Sequence, residues 1–267
     1  MAIAAIRAAL LDHLVDALQE DQRIAGAVLV GSGAVGFLDE ESDLDVVAAV
    51  ASAHDATAVY QEWGPLLEQR LPVVYRGQAG PFQLAHRLHG VLLDAGGSLL
   101  ELDFSFTPVT DLRALRPRWK LLFDRTGEVH ARMVSPAPET PPLAASLQLF
   151  DQACACVLQC RKALRRGRTW NAALALHELQ ERTLRIACRV RFEEARDYSG
   201  AERFADDLPP DLLAAMAATN VPVERAALTR ALRQATAVML AEARELYQQS
   251  GAVFPEAFAA ALVAHLD

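Results

Sequence analysis

The chain has 267 residues, 52% of them hydrophobic and 22% charged, enough for one large or two modest domains with their own cores. Of its net charge of −8, residues 1–135 contribute −7 (18 acidic, 11 basic) and residues 136–267 contribute −1 (16 acidic, 15 basic). Nucleic-acid binders ordinarily carry a basic stripe, so this balance argues against RNA or DNA as a partner and suits metal ions or a cationic small molecule.

The N-terminus lacks the basic segment of a signal peptide and carries Asp12, Asp16 and Glu20. No apolar run approaches the roughly 18 uninterrupted residues of a membrane span. A cytoplasmic protein without a membrane partner is the expectation. Ile6, Leu10, Leu14 and Leu18 recur at helical spacing, so the fold opens with an amphipathic helix over 3–18. A strand at 25–30 feeds the turn Gly31-Ser32-Gly33, and a second strand runs over 44–50. Between them lies Ser42-Asp43-Leu44-Asp45. Alternation along a strand puts Asp43 and Asp45 on one face and Leu44 on the other. Two carboxylates that close repel unless a cation lies between them. Hard oxygen ligands suit Mg²⁺, which usually arrives with nucleotide phosphates. Glycines beside a serine let backbone N–H groups approach an anion.

A helix over 53–69, with Ser52 as its cap, and a short strand at 71–75 follow. Residues 87–94 and 98–106 read as a hairpin about Gly96-Gly97. In its second arm Glu101, Asp103 and Ser105 alternate with Leu102, Phe104 and Phe106, which gives a second carboxylate pair at i, i+2. A strand at 119–123 closes on Asp124-Arg-Thr-Gly127. The Pro-dense segment 135–142 marks a boundary between a catalytic domain, 1–135, and a helical domain, 143–267. Helices are predicted at 144–166, 170 to about 194, 211–218, 223–247 and 256–266. The fold class is therefore α/β (α+β): an N-terminal mixed sheet of about five strands and a C-terminal helical bundle.

Other residues carry weaker signals. Cys154, Cys156, Cys160 and Cys188 lack zinc-site spacing and read as small core residues. His86, His89 and His177 have no partners at recognisable spacing. The basic cluster Arg161, Lys162, Arg165, Arg166 and Arg168 could reach a triphosphate, with Arg165 taken as its nucleotide-binding member; the other reading is a helix C-terminus complemented by cations. Glu178 and Glu181 could line an acceptor pocket or form a solvated face, and the run Asp39-Glu40-Glu41 reads as loop surface.

Gly31-Ser32, Ser42-Asp43-Leu44-Asp45 and Leu100-Glu101-Leu102-Asp103-Phe104 together resemble the nucleotidyltransferase superfamily that includes DNA polymerase β. Within it the chain looks most like the antibiotic nucleotidyltransferases acting on lincosamides and aminoglycosides. Leu164-Arg-Arg-Gly167 and the stretch Leu174 to Leu184 carry the likeness into the second half. The resemblance implies that Gly31 and Ser32 hold the β- and γ-phosphates of an NTP. It implies that Asp43, Asp45 and Asp103 bind Mg²⁺, and that Asp103, or Glu101 beside it, is the base. The implied reaction moves AMP from ATP to a hydroxyl of a small molecule and releases pyrophosphate. Homodimerisation is implied by the resemblance alone. The alternatives are a protein-modifying adenylyltransferase of toxin–antitoxin type and a non-catalytic regulatory copy of the fold.

Overall fold

The computed structural model describes residues 3–37, 39–77, 87–114, 118–134, 141–196 and 201–266. They belong to two compact units, Met1–Pro138 and Glu139–Asp267, the first α/β and the second helical. Most of the Pro-dense stretch, 135–140, lies outside the described residues, as does His86 and the side chain of His89.

In the first unit, α1 (Ile3–Glu20) leads into β1 (Ile24–Val30), which pairs antiparallel with β2 (Leu44–Val50). Helix α2 (Ala56–Arg70) and strand β3 (Val73–Arg76) follow. Strands β4 (Arg87–Asp94) and β5 (Leu99–Pro108) form the predicted hairpin. Its turn uses Gly96 and Gly97 at φ +77° and +99°, and both their amides donate to Asp94 Oδ1 at 2.9 Å. Strand β6 (Lys120–Asp124) pairs with β1.

Among the described residues the sheet has six strands, against the five or so expected, in the order β3-β4-β5-β2-β1-β6. Neighbours are antiparallel except β2 and β5, which run parallel. A parallel pair needs a long crossover, here through α2, β3 and β4.

Alternation divides the sheet into two apolar faces. Leu44, Val46, Leu102, Phe104 and Phe106 pack with residues of α1 and α2 in the larger core. Trp63 of α2 meets the rings of Phe104 and Phe106 at 5.6 and 5.8 Å, geometry that adds to simple burial. On the opposite face Val28, Ala49 and Val109 pack with Val129 and Met133 of a short helix, α3 (Glu128–Met133). Asp45 and Asp103 stand on this second face, nearer the start of β2, half-buried.

Helix α3 was not predicted. Its start is set by Asp124, whose carboxylate accepts from the amides of Thr126, Gly127 and His130. Burial would raise that carboxyl, but these backbone donors outweigh it and hold it below the usual range.

The helical unit contains α4 (Gln148–Arg165), α5 (Thr169–Arg191), α6 (Pro210–Ala217), α7 (Arg225–Ser250) and α8 (Glu256–Ala264). The stretch Leu143–Arg165 is long and apolar enough to cross a membrane by length and composition alone. Its residues Phe150, Ala153, Val157, Cys160 and Leu164 pack instead with α5 and α7. Arg191 and Glu242 join α5 to α7 through a bidentate pair at 2.5 and 3.1 Å.

The α1–β1 corner carries a testable electrostatic feature. Asp21 accepts from Arg23 N, Nε and Nη2 at 3.0, 3.0 and 2.8 Å and from Trp63 Nε1 at 3.0 Å. The Arg23 side chain is the chief cause, against an opposing effect of burial, of a carboxyl lowered from 3.8 to about 2. A depressed folded-state value adds stability that is present above the unfolded value and lost as pH falls through the folded one. Thermal melts should therefore show stability falling between about pH 4 and pH 2, with that part of the loss missing in Asp21→Asn.

Candidate active site

The parallel register of β2 and β5 sets Leu44 against Leu102, Asp45 against Asp103 and Val46 against Phe104. Leucine, valine and phenylalanine face the large core, so both aspartates must share the other face. Adjacent strands lie about 4.8 Å apart, which makes the two carboxylates neighbours. Glu101 is two residues before Asp103 on β5, and Asp43 lies in the approach to β2. Burial first, then the charges of Glu101 and Asp43, push the Asp103 carboxyl above its ordinary value. All four acidic residues singled out in the sequence are thus brought to one region of the sheet. Among the described residues, no set of three His, Cys, Asp or Glu side chains forms a ready-made metal site.

The Gly-Ser turn abuts this region. Val30 pairs with Asp45, and the chain then enters a tight helical turn, Gly31–Val35. Gly31 has φ +63°, and a Cβ there would overlap Asp45 Oδ2 and come within 2.9 Å of its Cγ. Glycine is required on both counts. Phe37 N donates to Ser32 O at 3.0 Å and closes the turn. Ser32 Oγ is buried without a hydrogen-bond partner among the described residues. A buried hydroxyl left unpaired costs about 1–3 kcal/mol, and at a glycine-rich turn an anionic ligand would relieve it.

The approach to Asp43 is anchored from an unexpected quarter. Arg7, on α1, is only 2% exposed. Its Nη1 and Nη2 donate to the carbonyls of Asp39 and Glu40 at 3.2 and 2.7 Å, and its guanidinium lies 4.5 Å from the centre of the Phe37 ring. Asp39 Oδ1 accepts from Ser42 Oγ at 3.1 Å and from Glu41 N at 3.0 Å. The run 39–41 is exposed, as expected of loop surface, yet its backbone is pinned to α1. A signal was available: Arg7 falls four residues after Ile3 and three before Leu10, on the apolar stripe of the helix.

In the helical unit the structure places the residues that carried weaker signals. The four cysteines are buried free thiols. Burial pushes Cys154 and Cys160 up to about 12, and Cys160 Sγ contacts Ala172 O at 3.2 Å; such thiols are inert core residues. Glu181 pairs with Arg185 at 2.8 Å, and Glu178 Oε2 lies 3.6 Å from Cys156 Sγ. Arg165 is exposed in the last turn of α4, ahead of Gly167 at φ +70°. Cations there complement the helix dipole.

Arg7→Met keeps most of the side-chain length but removes both carbonyl bonds. Hydrogen exchange at the amides of residues 39–43 should then rise at least about tenfold, with little change in the exchange of β5. Unchanged protection of the loop would show that the Arg7 bonds do not hold it.

No protein-family model matches the chain, and no curated protein matches it. Among solved structures, it is similar to an aminoglycoside 6-adenyltransferase from Bacillus subtilis, with 13% identity and a TM-score of 0.42 over 96% of this chain and 95% of that one. It is also similar to a nucleotidyltransferase-like protein from Exiguobacterium sibiricum 255-15, with 11% identity and a TM-score of 0.43 over 86% of this chain and 73% of that one.

Proposed function

We propose that this chain is a nucleotidyltransferase that moves a nucleotidyl group, AMP being the leading choice, from an NTP to a hydroxyl of a small molecule. The observation that carries the reading is Asp45 standing in register with Asp103 while the Gly31 turn, with its unpartnered Ser32 hydroxyl, packs against Asp45.

The donor set fits Mg²⁺. Asp43, Asp45 and Asp103 offer hard oxygens only, and this ion is typically held by one or two carboxylates together with substrate phosphates and waters. A closed set of three protein ligands is therefore not demanded. When bound, Mg²⁺ would offset the negative charge of the phosphates among these carboxylates. Ser32 and the N–H groups of the Gly31 turn would bind phosphate oxygens. Asp103 is the better base of the two candidates: it is half-buried and stands in register with Asp45, whereas Glu101 is exposed. In the reaction the acceptor oxygen bonds to the α-phosphorus, the bond from that phosphorus to the leaving pyrophosphate breaks, and Asp103 takes the hydroxyl proton. The acidic balance of the first half suits a cationic acceptor. Together with the sequence resemblance, it favours an aminoglycoside- or lincosamide-like molecule.

The test is purified protein with Mg²⁺, each of the four NTPs and a pooled aminoglycoside and lincosamide panel, read by mass spectrometry. One compound should gain the mass of a nucleotidyl group. Asp103→Asn should slow transfer by roughly 10²–10⁴-fold, the usual worth of a general base, and Asp45→Asn should abolish Mg²⁺-dependent turnover at unchanged melting temperature. Full activity in Asp45→Asn would remove the metal assignment, and label on protein rather than on a compound would point to a protein-modifying enzyme.

A further inference from the structure

The register relations extend the carboxylate pair into a row across four strands: Gly90 on β4, Asp103 on β5, Asp45 on β2 and Val30 on β1. A glycine thus lies directly beside Asp103, on the side away from Asp45. Glycine within a strand costs about 0.5–1 kcal/mol relative to alanine. It usually marks a bulge, a sharp bend, or a place where another group approaches the backbone closely.

The fold supplies a reason for other glycines of this unit. A Cβ on Gly26 would come to 2.5 Å of Phe123 O, and one on Gly33 to 2.9 Å of Leu29 Cδ2. Gly90 is different. The β4–β5 register runs from Arg87–Phe106 to Asp94–Leu99 without a shift, so there is no bulge. Gly90 is not among the glycines with positive φ. Its carbonyl accepts from Gly77 N at 2.8 Å, a bond open to any residue. Among the described residues, the one atom within 4 Å of a Cβ placed there is Asp103 Oδ1, at 3.9 Å, an ordinary contact distance. Among the described residues nothing else fills the place a side chain would take here, and that place lies against the carboxylate assigned as the base.

Resting on the nucleotidyltransfer reading, we propose that Gly90 is the specificity-determining position of the acceptor subsite. The missing Cβ at Gly90 lets a hydroxyl-bearing small molecule approach β4 there and bring its hydroxyl to Asp103. The opposite end of the row is already committed. There Gly31 packs on Asp45, and the Ser32 turn offers its donors to phosphate. Nucleotide and acceptor then meet Asp45 and Asp103 from opposite sides, as attack opposite the leaving group requires. Two glycines bracket two aspartates for two reasons: Gly31 because the fold fills the place of its Cβ, and Gly90 because the acceptor does.

The test compares Gly90→Ala and Gly90→Val with the unaltered protein. Valine favours strands, so melting temperatures should hold or rise. Titration with ATP in the presence of Mg²⁺ should give affinities within about twofold of the original. Nucleotidyl transfer to the antibiotic panel, read by mass spectrometry, should fall in steps, roughly tenfold for alanine and at least a hundredfold for valine. One misplaced methylene is worth about 10–200-fold in a fitted pocket. Transfer by Gly90→Val at the original rate would overturn the proposal. So would a loss of MgATP affinity that matches the loss of transfer, since Gly90 would then serve the nucleotide side. If the unaltered protein neither binds MgATP nor labels the panel, the nucleotidyltransfer reading itself fails and the subsite falls with it.

Discussion

The parallel pairing of β2 with β5 is the constraint on which the candidate site depends. It sets Asp45 against Asp103 and, by the same register, Leu44, Val46, Phe104 and Phe106 into the core beneath. A slip of one residue would turn the aspartates inward and the core residues outward. The aromatic cluster of Trp63, Phe104 and Phe106 therefore does more than fill volume. It fixes the register that keeps two acidic side chains on the opposite face, at the expense of their mutual repulsion. Burial, and after it the charges of Glu101 and Asp43, raise the Asp103 carboxyl on that face.

The surroundings of the pair are fixed by interactions of different kinds. The turn is closed through backbone, by the Phe37 amide on the Ser32 carbonyl, and left-handed Gly31 brings it onto Asp45. The approach to Asp43 is tied to α1 by Arg7, a buried cation whose partners among the described residues are two backbone carbonyls and an aromatic face, its Nε being left without one. A carboxylate partner for Arg7 would have added another negative charge near four existing ones. Carbonyls hold the loop without doing so.

The helical unit shows how motif-like features can be structural. Its cysteines at positions 156 and 160 share a helix face because α4 buries that face against α5 and α7. Its cluster of arginines lies where α4 ends ahead of a left-handed glycine. The apolarity of Leu143–Arg165, read in isolation, would serve a membrane span equally well; packing against α5 and α7 is what accounts for it here.

Much of this was legible in the chain itself, because it depends on local periodicity and on residues with narrow conformational roles. Alternation gave the strands and put Asp43 with Asp45 and Glu101 with Asp103; Gly96-Gly97 gave the hairpin; helical spacing gave the second unit. Three features were beyond its reach, the last two because they join residues far apart in the chain. The short α3 helix depends on an aspartate that ends the preceding strand and turns back to cap it. The hold of Arg7 on residues 39 and 40 spans more than thirty positions. Above all, which strands are neighbours is a tertiary decision. The sequence by itself determined that two acidic pairs would each share one face of a strand and that a Gly-Ser turn would precede the first of them. Only the parallel β2–β5 pairing brought those pairs together, since register between distant strands is chosen by core packing and not by either strand alone.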